Sequence, residues 1–439
     1  MTGTDISPGT GTPPPGTDID PGTGTQPTGT DLPSLISPEV IECPHAHYAR
    51  LRAEAPVYRM PEIGFYVLTR YDDIRKALMT PEVFASNVDI SVFRRIAPDE
   101  EIRQIYLDGG WELLDILTSS DDPQHTRYRN FVNRSFTPGR VRSMVPYLRQ
   151  IVNELIDAFI DRGRAELVTE YANPLPLYVM MDQIGAPRED LADLKRWTDY
   201  SVESFALTAD REREIWLHTE TLKMQHYLFA RIKERRDSPH DDLLGDLVRG
   251  QDGTQLTDEE LISLVREFLI AGNETTTNVT AAGVHLLCER PELQDELRGD
   301  DERIRAFVEE MLRTAAPLQG IFRQTLVDTE VGGVEIPSGS FVVLRIGSAN
   351  RDQDRFDHGD EFDLDRANNT QHLAFGAGKH TCVGSALGRT ELFESFRILL
   401  DRTRNLRLDT EAIGDQPLAH KPNFLMRGLI RLPIMFDKA

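Results

Sequence analysis

The sequence predicts a mainly α-helical fold with a small β-rich lobe, and three patterns support this prediction. Apolar residues recur every three or four positions over long segments, which is typical of amphipathic helices. The longest such segment, 258–289, is apolar on several faces and therefore predicts a helix buried through the centre of the molecule. Short β-like runs also occur, and two of them contain Gly-Gly or Pro-Ser-Gly turn signals.

The 439-residue chain divides into a low-complexity segment and one long body. Residues 1–34 are rich in Gly, Thr and Pro and hold almost no large apolar side chains, which predicts a disordered tail. No second linker interrupts residues 35–439, so they are expected to form one domain. Within it, the β-like runs predict short strands at 65–69, 324–334 and 340–346.

Helix boundaries can be predicted from capping patterns. The central helix has Thr257 as its N-cap with Glu260 three residues later, and Pro291 follows its end. The three- and four-residue spacing of Val145, Leu148, Val152, Leu155 and Phe159 predicts an amphipathic helix. Further helices are expected at 302–314 and 385–400.

Composition excludes several classes of function. The net charge of −23 argues against a basic nucleic-acid-binding surface. The three cysteines are far apart, which argues against a disulfide framework or a zinc site and fits a reducing compartment. No run of 18 apolar residues and no signal-peptide pattern is visible, so a cytoplasmic protein without a membrane anchor is expected.

The most informative segment is the glycine-rich loop 375–384, which ends beside a cysteine and leads into a predicted helix. Its glycines allow positive φ angles and close approach to a flat ligand. Cys382 precedes the helix, where free N–H groups stabilise a thiolate. An isolated cysteine of this kind is more often buried and inert. The whole pattern Phe-Gly-x-Gly-x-His-x-Cys-x-Gly, however, resembles the haem-ligand signature of the cytochrome P-450 family at every fixed position.

The resemblance implies the triangular-prism fold of that family, with haem b (iron protoporphyrin IX) between the central helix and the cysteine loop. Cys382 would be the metal ligand. Phe375, Gly376 and Gly384 would be the other haem-binding residues of the loop. The match covers nearly all of 35–439 in the right order, and it points to the soluble, bacterial-type members.

A second motif breaks the pattern of the central helix. A glycine, a carboxylate and hydroxyls occur together in an otherwise apolar helix, which is expected at a functional site. The segment resembles the family's oxygen-binding kink. By that resemblance Ala271 and Gly272 lie over the haem, Thr275 hydrogen-bonds the bound oxygen, and Glu274 gates protons from solvent. Alone, the motif is equally compatible with a surface acid and a helix-bending threonine.

Two further sets of residues resemble family motifs. Glu310 and Arg313 match a buried Glu-x-x-Arg pair, and Arg366 matches its third member, although Leu364 replaces the usual proline of that segment. These three are expected to support the cofactor structurally through charge-assisted bonds. Cationic or donor groups for the two haem propionates are expected from His125, Arg129, Arg323 and His380.

The resemblance implies a monooxygenase that uses dioxygen and takes electrons from NAD(P)H indirectly, through a ferredoxin reductase and a ferredoxin. Two alternatives stay open at this stage. A peroxygenase would consume peroxide, but such relatives lack the acid–alcohol pair of Glu274 and Thr275. A haem sensor would show no substrate-induced spin shift and no turnover. A monomer acting on a small lipophilic substrate is expected.

Substrate identity is not readable, but pocket positions follow by analogy. The expected pocket residues are Val88, Phe93, Glu267, Ile270, Ile321 and Phe424. Glu267 shares a helical face with Ala271 and Thr275, so it pairs with a nearby arginine such as Arg94 or Arg95, turns to a water channel, or binds a hydroxyl or amine of the substrate. A ferredoxin-docking patch is expected at Arg127, Arg134, Lys379 and Arg389.

Overall fold

A computed structural model describes residues 34–88, 100–204 and 210–439, and residues from Ser34 onward form one unit. The predicted tail 1–34 lies outside the described residues, apart from Ser34. The α-helices are α1 (Pro38–Glu42), α2 (His45–Glu54), α3 (Tyr71–Met79), α4 (Glu100–Gly109), α5 (Gln124–Asn133), α6 (Pro138–Asp157), α7 (Pro174–Ile184), α8 (Leu191–Ser204), α9 (Arg211–Asp237), α10 (Leu243–Arg249), α11 (Asp258–Glu289), α12 (Pro291–Leu297), α13 (Asp301–Ala315), α14 (Ile346–Ala349), α15 (Ser385–Arg402) and α16 (Thr410–Ile413).

The strands are short and form three small sheets in the described part of the chain. Their bounds are β1 (Val57–Arg59), β2 (Tyr66–Leu68), β3 (Phe84–Ala85), β4 (Arg164–Glu166), β5 (Ile321–Thr325), β6 (Thr329–Val331), β7 (Val334–Ile336), β8 (Phe341–Leu344), β9 (Thr403–Leu408) and β10 (Pro433–Lys438). The largest sheet has the order β1-β2-β8-β5-β3, in which only β2 and β8 run parallel. The others are β4-β10-β9 and the hairpin β6-β7.

The central helix agrees with its prediction at both ends. α11 spans Asp258–Glu289, and a capping box between Thr257 and Glu260 starts it. The Thr257 hydroxyl accepts from the Glu260 N–H at 3.3 Å, and the Glu260 carboxylate accepts from the Thr257 N–H at 2.9 Å. Local chemistry therefore sets this boundary, which is why the sequence alone predicts it.

The strand predictions are only partly correct. The predicted run 324–334 is divided by turns, because β5 already starts at Ile321 and Gly332 and Gly333 form the β6-β7 turn with positive φ. Strands β4, β9 and β10 were not predicted. Met435 pairs with Arg164 on one side and Arg407 on the other, so this sheet depends on contacts between distant parts of the chain.

α11 lies in the core and positions most of the site. It packs against α7, α8, α9, α13 and α15, and its apolar side chains join two of the three main hydrophobic clusters. Gly283 allows close packing, since an added Cβ would lie 2.4 Å from Phe396 of α15. Among the helices described, none is long and apolar enough to cross a membrane.

Candidate active site

The glycine-rich loop folds back on itself before α15. Gly376 and Gly378 have φ angles of 68° and 71°, which suit glycine. A Cβ on Gly378 would lie 2.7 Å from the Leu78 carbonyl of α3, so the loop packs tightly against that helix. The Cys382 N–H donates to the Phe375 carbonyl at 2.9 Å, which closes the loop and fixes the position of the cysteine.

The Cys382 side chain is accessible although protein surrounds it. Burial raises the pKa of its thiol, while the Gly384 N–H and the charges of Arg129 and Arg389 act in the opposite direction. The expected stabilisation of a thiolate by the loop is therefore present, but burial outweighs it in the polypeptide alone. A thiolate at this position needs a cationic partner in addition to the polypeptide.

Four basic side chains gather beside this loop, as the sequence predicted for the propionate set. The rings of His125 and His380 are 4.0 Å apart, centroid to centroid. Burial, followed by the charges of His125, Arg323 and Arg129, lowers the pKa of His380 to about 4, although Asp121 acts in the opposite direction. Burial also lowers the pKa of Arg323 to about 10.

The two histidines lie near acids, since His125 Nδ1 is 3.9 Å from Asp122 and His380 Nε2 is 3.8 Å from Asp121, whereas Arg129 and Arg323 form no ion pair within the described residues. Arg323 is buried and donates only to the carbonyl of Phe322, at 2.7 Å. The buried Nε2 of His125 has no hydrogen-bond partner. Unpaired buried donors of this kind are costly unless an acceptor binds them. The set is therefore suited to an anionic group.

Two residues that the sequence did not single out hold this cluster. The Ser86 hydroxyl lies 3.0 Å from His380 Nε2, and the Asp121 carboxylate accepts from the Ser86 N–H at 2.9 Å. Asp121 also accepts from the Asn87 N–H at 2.9 Å. Asp121 lies only four residues before the predicted His125, so its carboxylate was a visible signal, whereas Ser86 follows the separate strand β3.

One face of α11 is accessible although the helix lies in the core. Ala271 is exposed and Glu267, Ile270 and Thr275 are half-buried, while residues 268, 269, 273 and 274 are buried. The Thr275 hydroxyl donates to the Ala271 carbonyl at 2.9 Å, so it lies on this face. An added Cβ on Gly272 would lie 3.1 Å from Met180 of α7, which accounts for the glycine by packing.

Glu274 is directed away from that face into a charged cluster. Its carboxylate is 1% exposed and lies 2.5 Å from Lys421 Nζ and 3.8 Å from Lys195 Nζ. Asp199 ion-pairs with both lysines. Burial alone would lower the pKa of Lys421, but Glu274 and Asp199 outweigh it and raise that pKa. The second carboxylate oxygen of Glu274 has no hydrogen-bond partner.

Glu310, Arg313 and Arg366 form one buried network. Arg313 donates to both Glu310 oxygens at 2.7 and 2.8 Å, and Arg366 donates at 3.0 Å. Burial alone would raise the pKa of Glu310, but the two guanidinium groups and the Asp363 N–H lower it. Arg313 also donates to the carbonyls of Asn350, Gly359 and Glu361, so the network connects α13 to the segment that leads to the cysteine loop.

Comparison with known proteins identifies the family. Cytochrome P450 107B1 of Saccharopolyspora erythraea is 35% identical over 398 residues, which cover 89% of this chain and 94% of the relative. This chain belongs to the cytochrome P450 family. The family model "Cytochrome P450" matches residues 211–427.

Further relatives agree with the P450 assignment. The P450 monooxygenase PikC of Streptomyces venezuelae is 34% identical, with 90% of this chain and 91% of PikC covered. The structure of P450 CYP109Q5 from Chondromyces apiculatus superimposes with a TM-score of 0.80 at 31% identity and covers 92% of this chain and 98% of that one. The mainly α fold with small sheets is thus the P450 fold, and the chain is a P450 monooxygenase.

Membership of the P450 family implies a haem iron cofactor, and the residues present fit one. Cys382 presents an accessible sulfur where protein otherwise surrounds it. Within the described residues Arg323 forms no ion pair and the buried Nε2 of His125 has no hydrogen-bond partner, so the two haem carboxylates would satisfy these groups. Ala271 is exposed in the middle of a core helix, as expected for a residue that faces a large flat group.

Three of the predicted pocket residues of this P450 lie on separate segments, two of which are joined by a hydrogen bond. Ile270 is on α11, Ile321 starts β5, and Phe424 lies on the loop 420–427. The Gln319 N–H donates to the Leu425 carbonyl at 2.6 Å, which joins the last two segments. Val88 is buried at the end of a described segment, next to the contacts of Asp121, and Phe93 lies outside the described residues.

Sequence reasoning missed Glu391 on α15. It is buried, accepts a hydrogen bond from the Thr276 hydroxyl of α11, and burial raises its pKa to about 8. Glu391 lies nine residues after Cys382, within the helix that the sequence predicts. An acid on the buried face of that helix was the signal that could have identified it.

The four cations that were expected to form the ferredoxin-docking patch already have partners within the protein. Arg127 pairs with Glu260 at 2.5 Å, and Arg389 pairs with Glu309 at 2.6 Å. Lys379 pairs with Asp122, while Arg134 donates to the carbonyl of Asp246. The net positive field of this face is therefore weaker than a count of its cations suggests.

Proposed function

We propose that this P450 inserts one atom of dioxygen into a C–H bond of a small lipophilic substrate. The second oxygen atom leaves as water, and the reaction takes up two electrons and two protons. The electrons would come from NAD(P)H through a ferredoxin reductase and a ferredoxin. The enzyme would act as a cytoplasmic monomer. Haem supplies the oxygen activation when bound.

The polypeptide would hold this cofactor through two sets of residues. Cys382 would ligate the iron, with Phe375, Gly376 and Gly384 shaping the loop around it. His125, Arg129, Arg323 and His380 would bind the propionates, and the unpaired Nε2 of His125 supports this role. Glu310, Arg313 and Arg366 would keep the segment before the loop in position.

The observation that carries the proposal is the placement of Glu274 and Thr275. Thr275 presents a hydroxyl on the accessible face of α11, beside Ala271. Glu274 is buried one residue away, with an unpartnered oxygen, and its lysine partners reach solvent with side chains 19% and 30% exposed. Protons could therefore pass from solvent through the Asp199, Lys195 and Lys421 cluster to Glu274, and a rotation of the Glu274 side chain would then carry them to the face of Thr275.

The proposal is tested with the haem-loaded protein, a ferredoxin, its reductase, NAD(P)H and a lipophilic compound that shifts the haem absorption. Glu274→Gln should slow oxygen consumption by about a hundredfold, because the proton carrier is lost. Lys421→Met should slow it less, since Lys195 remains. Lys438→Met is the matched control, because this lysine also pairs with an aspartate, Asp161, but on β10.

Isotopic labelling distinguishes the competing reaction types. With labelled dioxygen, the product should carry one labelled oxygen atom, and its formation should require the ferredoxin. Equal product yield from hydrogen peroxide without redox partners, together with an unchanged rate in Glu274→Gln, would favour a peroxygenase instead.

A further inference from the structure

We propose that Glu267 binds a protonated amine on the substrate, so that this enzyme selects lipophilic cations. The inference deepens the proposed function and rests on it. It requires that the accessible face of α11 lies over the substrate position, and it names the class of molecule that this face prefers.

The position of Glu267 is the first support. Glu267 precedes Ala271 by four residues and Thr275 by eight, so the three side chains follow one another along the same face of α11. All three are at least partly accessible, whereas Phe268, Leu269 and Asn273 beside them are buried. A ligand that extends along this face from Thr275 therefore reaches Glu267.

The partners of Glu267 leave its charge uncompensated. One carboxylate oxygen accepts from the Thr118 N–H at 3.1 Å. No ion pair with a lysine, arginine or histidine is formed among the described residues. Arg266, the preceding residue, has the smallest of the effects that act on the pKa of Glu267 and lowers it. Burial raises the pKa of Glu267 to about 7, which reflects the cost of a charge here. A bound cation would offset that cost.

The surroundings favour a molecule with an apolar body. Ile270 and Ala271 lie on the same side of α11 as Glu267, and the predicted pocket residues Ile321 and Phe424 lie on two segments that the Gln319–Leu425 hydrogen bond joins. An apolar wall with one carboxylate suits an amine on a hydrocarbon frame and disfavours an anion. A neutral hydroxyl could donate a hydrogen bond, but it would leave the charge of the carboxylate unbalanced.

A structural role is the competing explanation. Because Glu267 accepts from Thr118, it could serve only to hold the 3₁₀ turn Leu117–Ser119 against α11. Arg94 and Arg95, which the sequence suggested as partners, lie outside the described residues. A hold on the 3₁₀ turn and a pairing with these arginines both predict that loss of Glu267 weakens the binding of every ligand alike. Selectivity among ligands therefore separates these two explanations from the proposal.

The experiment is calorimetric titration of the haem-loaded protein with two matched series of probes. One series is built on butylbenzene and the other on biphenyl, and each ends in a dimethylammonium, hydroxyl, methyl or carboxylate group. The ammonium probe should bind most tightly in each series. Glu267→Gln should weaken it by about tenfold to a hundredfold and change the hydroxyl and methyl probes little.

The control is Glu289→Gln, the same substitution on the same helix. It lies roughly 33 Å away along the axis at 1.5 Å per residue, and its carboxylate is exposed. This variant should bind every probe as the unmodified protein does.

Three results would overturn the inference. The first is an ammonium probe that binds no more tightly than the hydroxyl and methyl probes of its series, including the case in which none binds. The second is an equal loss of affinity for all probes in Glu267→Gln. The third is the same loss of affinity in the control Glu289→Gln. The absorption of the reduced, carbon-monoxide-bound protein is recorded on the same preparations. If the family's red-shifted band is missing, the proposed function fails, whereas an intact band without ammonium preference removes only this inference.

Discussion

At the scale of single residues, a hydrogen bond fixes the orientation of the Thr275 hydroxyl. It donates to the carbonyl of Ala271, four residues earlier, and so lies over a turn of α11 that would otherwise expose an apolar face. A hydroxyl in this place can exchange protons with a ligand above Ala271, and no neighbouring side chain on the face can replace it.

Replacement of this hydroxyl should separate oxygen consumption from product formation. In Thr275→Ala, NAD(P)H and oxygen are still consumed, but hydrogen peroxide replaces most of the hydroxylated product, with coupling lowered by about tenfold or more. Thr275→Ser keeps the hydroxyl and should stay coupled. Peroxide and product are measured together against NAD(P)H. Unchanged coupling in Thr275→Ala would remove Thr275 from the proposed proton route.

Motifs in the sequence located Glu274 and Thr275 but could not show that they face different directions. The partners of Glu274 come from α8 and from the loop 420–427, and Lys421 is 147 residues away. No local pattern encodes a contact over such a distance. Glu267 was visible because it lies within the same helix, where spacing alone defines a face.

At the scale of elements, the contact between α11 and α15 contains a buried acid. Glu391 of α15 accepts from Thr276 of α11, and burial raises its pKa from the ordinary 4.5 to about 8. Because the folded protein binds this proton more tightly than the unfolded chain, Glu391 disfavours folding increasingly as the pH rises from about 4.5 to about 8.

Glu391→Gln should remove this dependence while keeping a group that can pair with Thr276. The unfolding temperature of the haem-loaded variant, relative to the unmodified protein, should rise between pH 5 and pH 8 and then level off. Glu289→Gln, at an exposed end of α11, provides the control for other groups that titrate in this range. If this difference in unfolding temperature stays constant or falls as the pH rises, Glu391 is not a buried neutral acid.

Elements differ in how far the sequence predicts them. α11 was predicted with both boundaries because its capping box and the proline after it are local signals. β10 was not, because its six residues pair with β4 and β9, which lie far away in the chain. The basic cluster was predicted from motif resemblance, while Ser86, which holds His380, carries no motif of its own.

At the scale of the whole molecule, a net charge of −23 disfavours the approach of an acidic ferredoxin. Of the cations expected to form the docking patch, Arg127, Lys379 and Arg389 are already paired with Glu260, Asp122 and Glu309. Docking there would depend on small local differences in potential, which salt screens readily.

Lys379→Glu should raise the apparent KM for the ferredoxin several-fold at low ionic strength, and the effect should shrink as salt is added. The matched control is Lys438→Glu, since both lysines pair with an aspartate at the surface and only Lys379 belongs to the cysteine loop. The KM is measured from ferredoxin-dependent NAD(P)H oxidation. An equal effect of both substitutions would indicate a response to total charge and would argue against a docking patch on this face.

The central claim is that Cys382 ligates the haem iron. The most direct test is the absorption spectrum of the reduced protein under carbon monoxide, because a thiolate ligand gives the red-shifted band for which the family is named. Cys382→Ser should abolish this band, while Cys43→Ser and Cys288→Ser should retain it. A band that survives in Cys382→Ser, or that disappears in either of the other two variants while haem stays bound, would contradict the account.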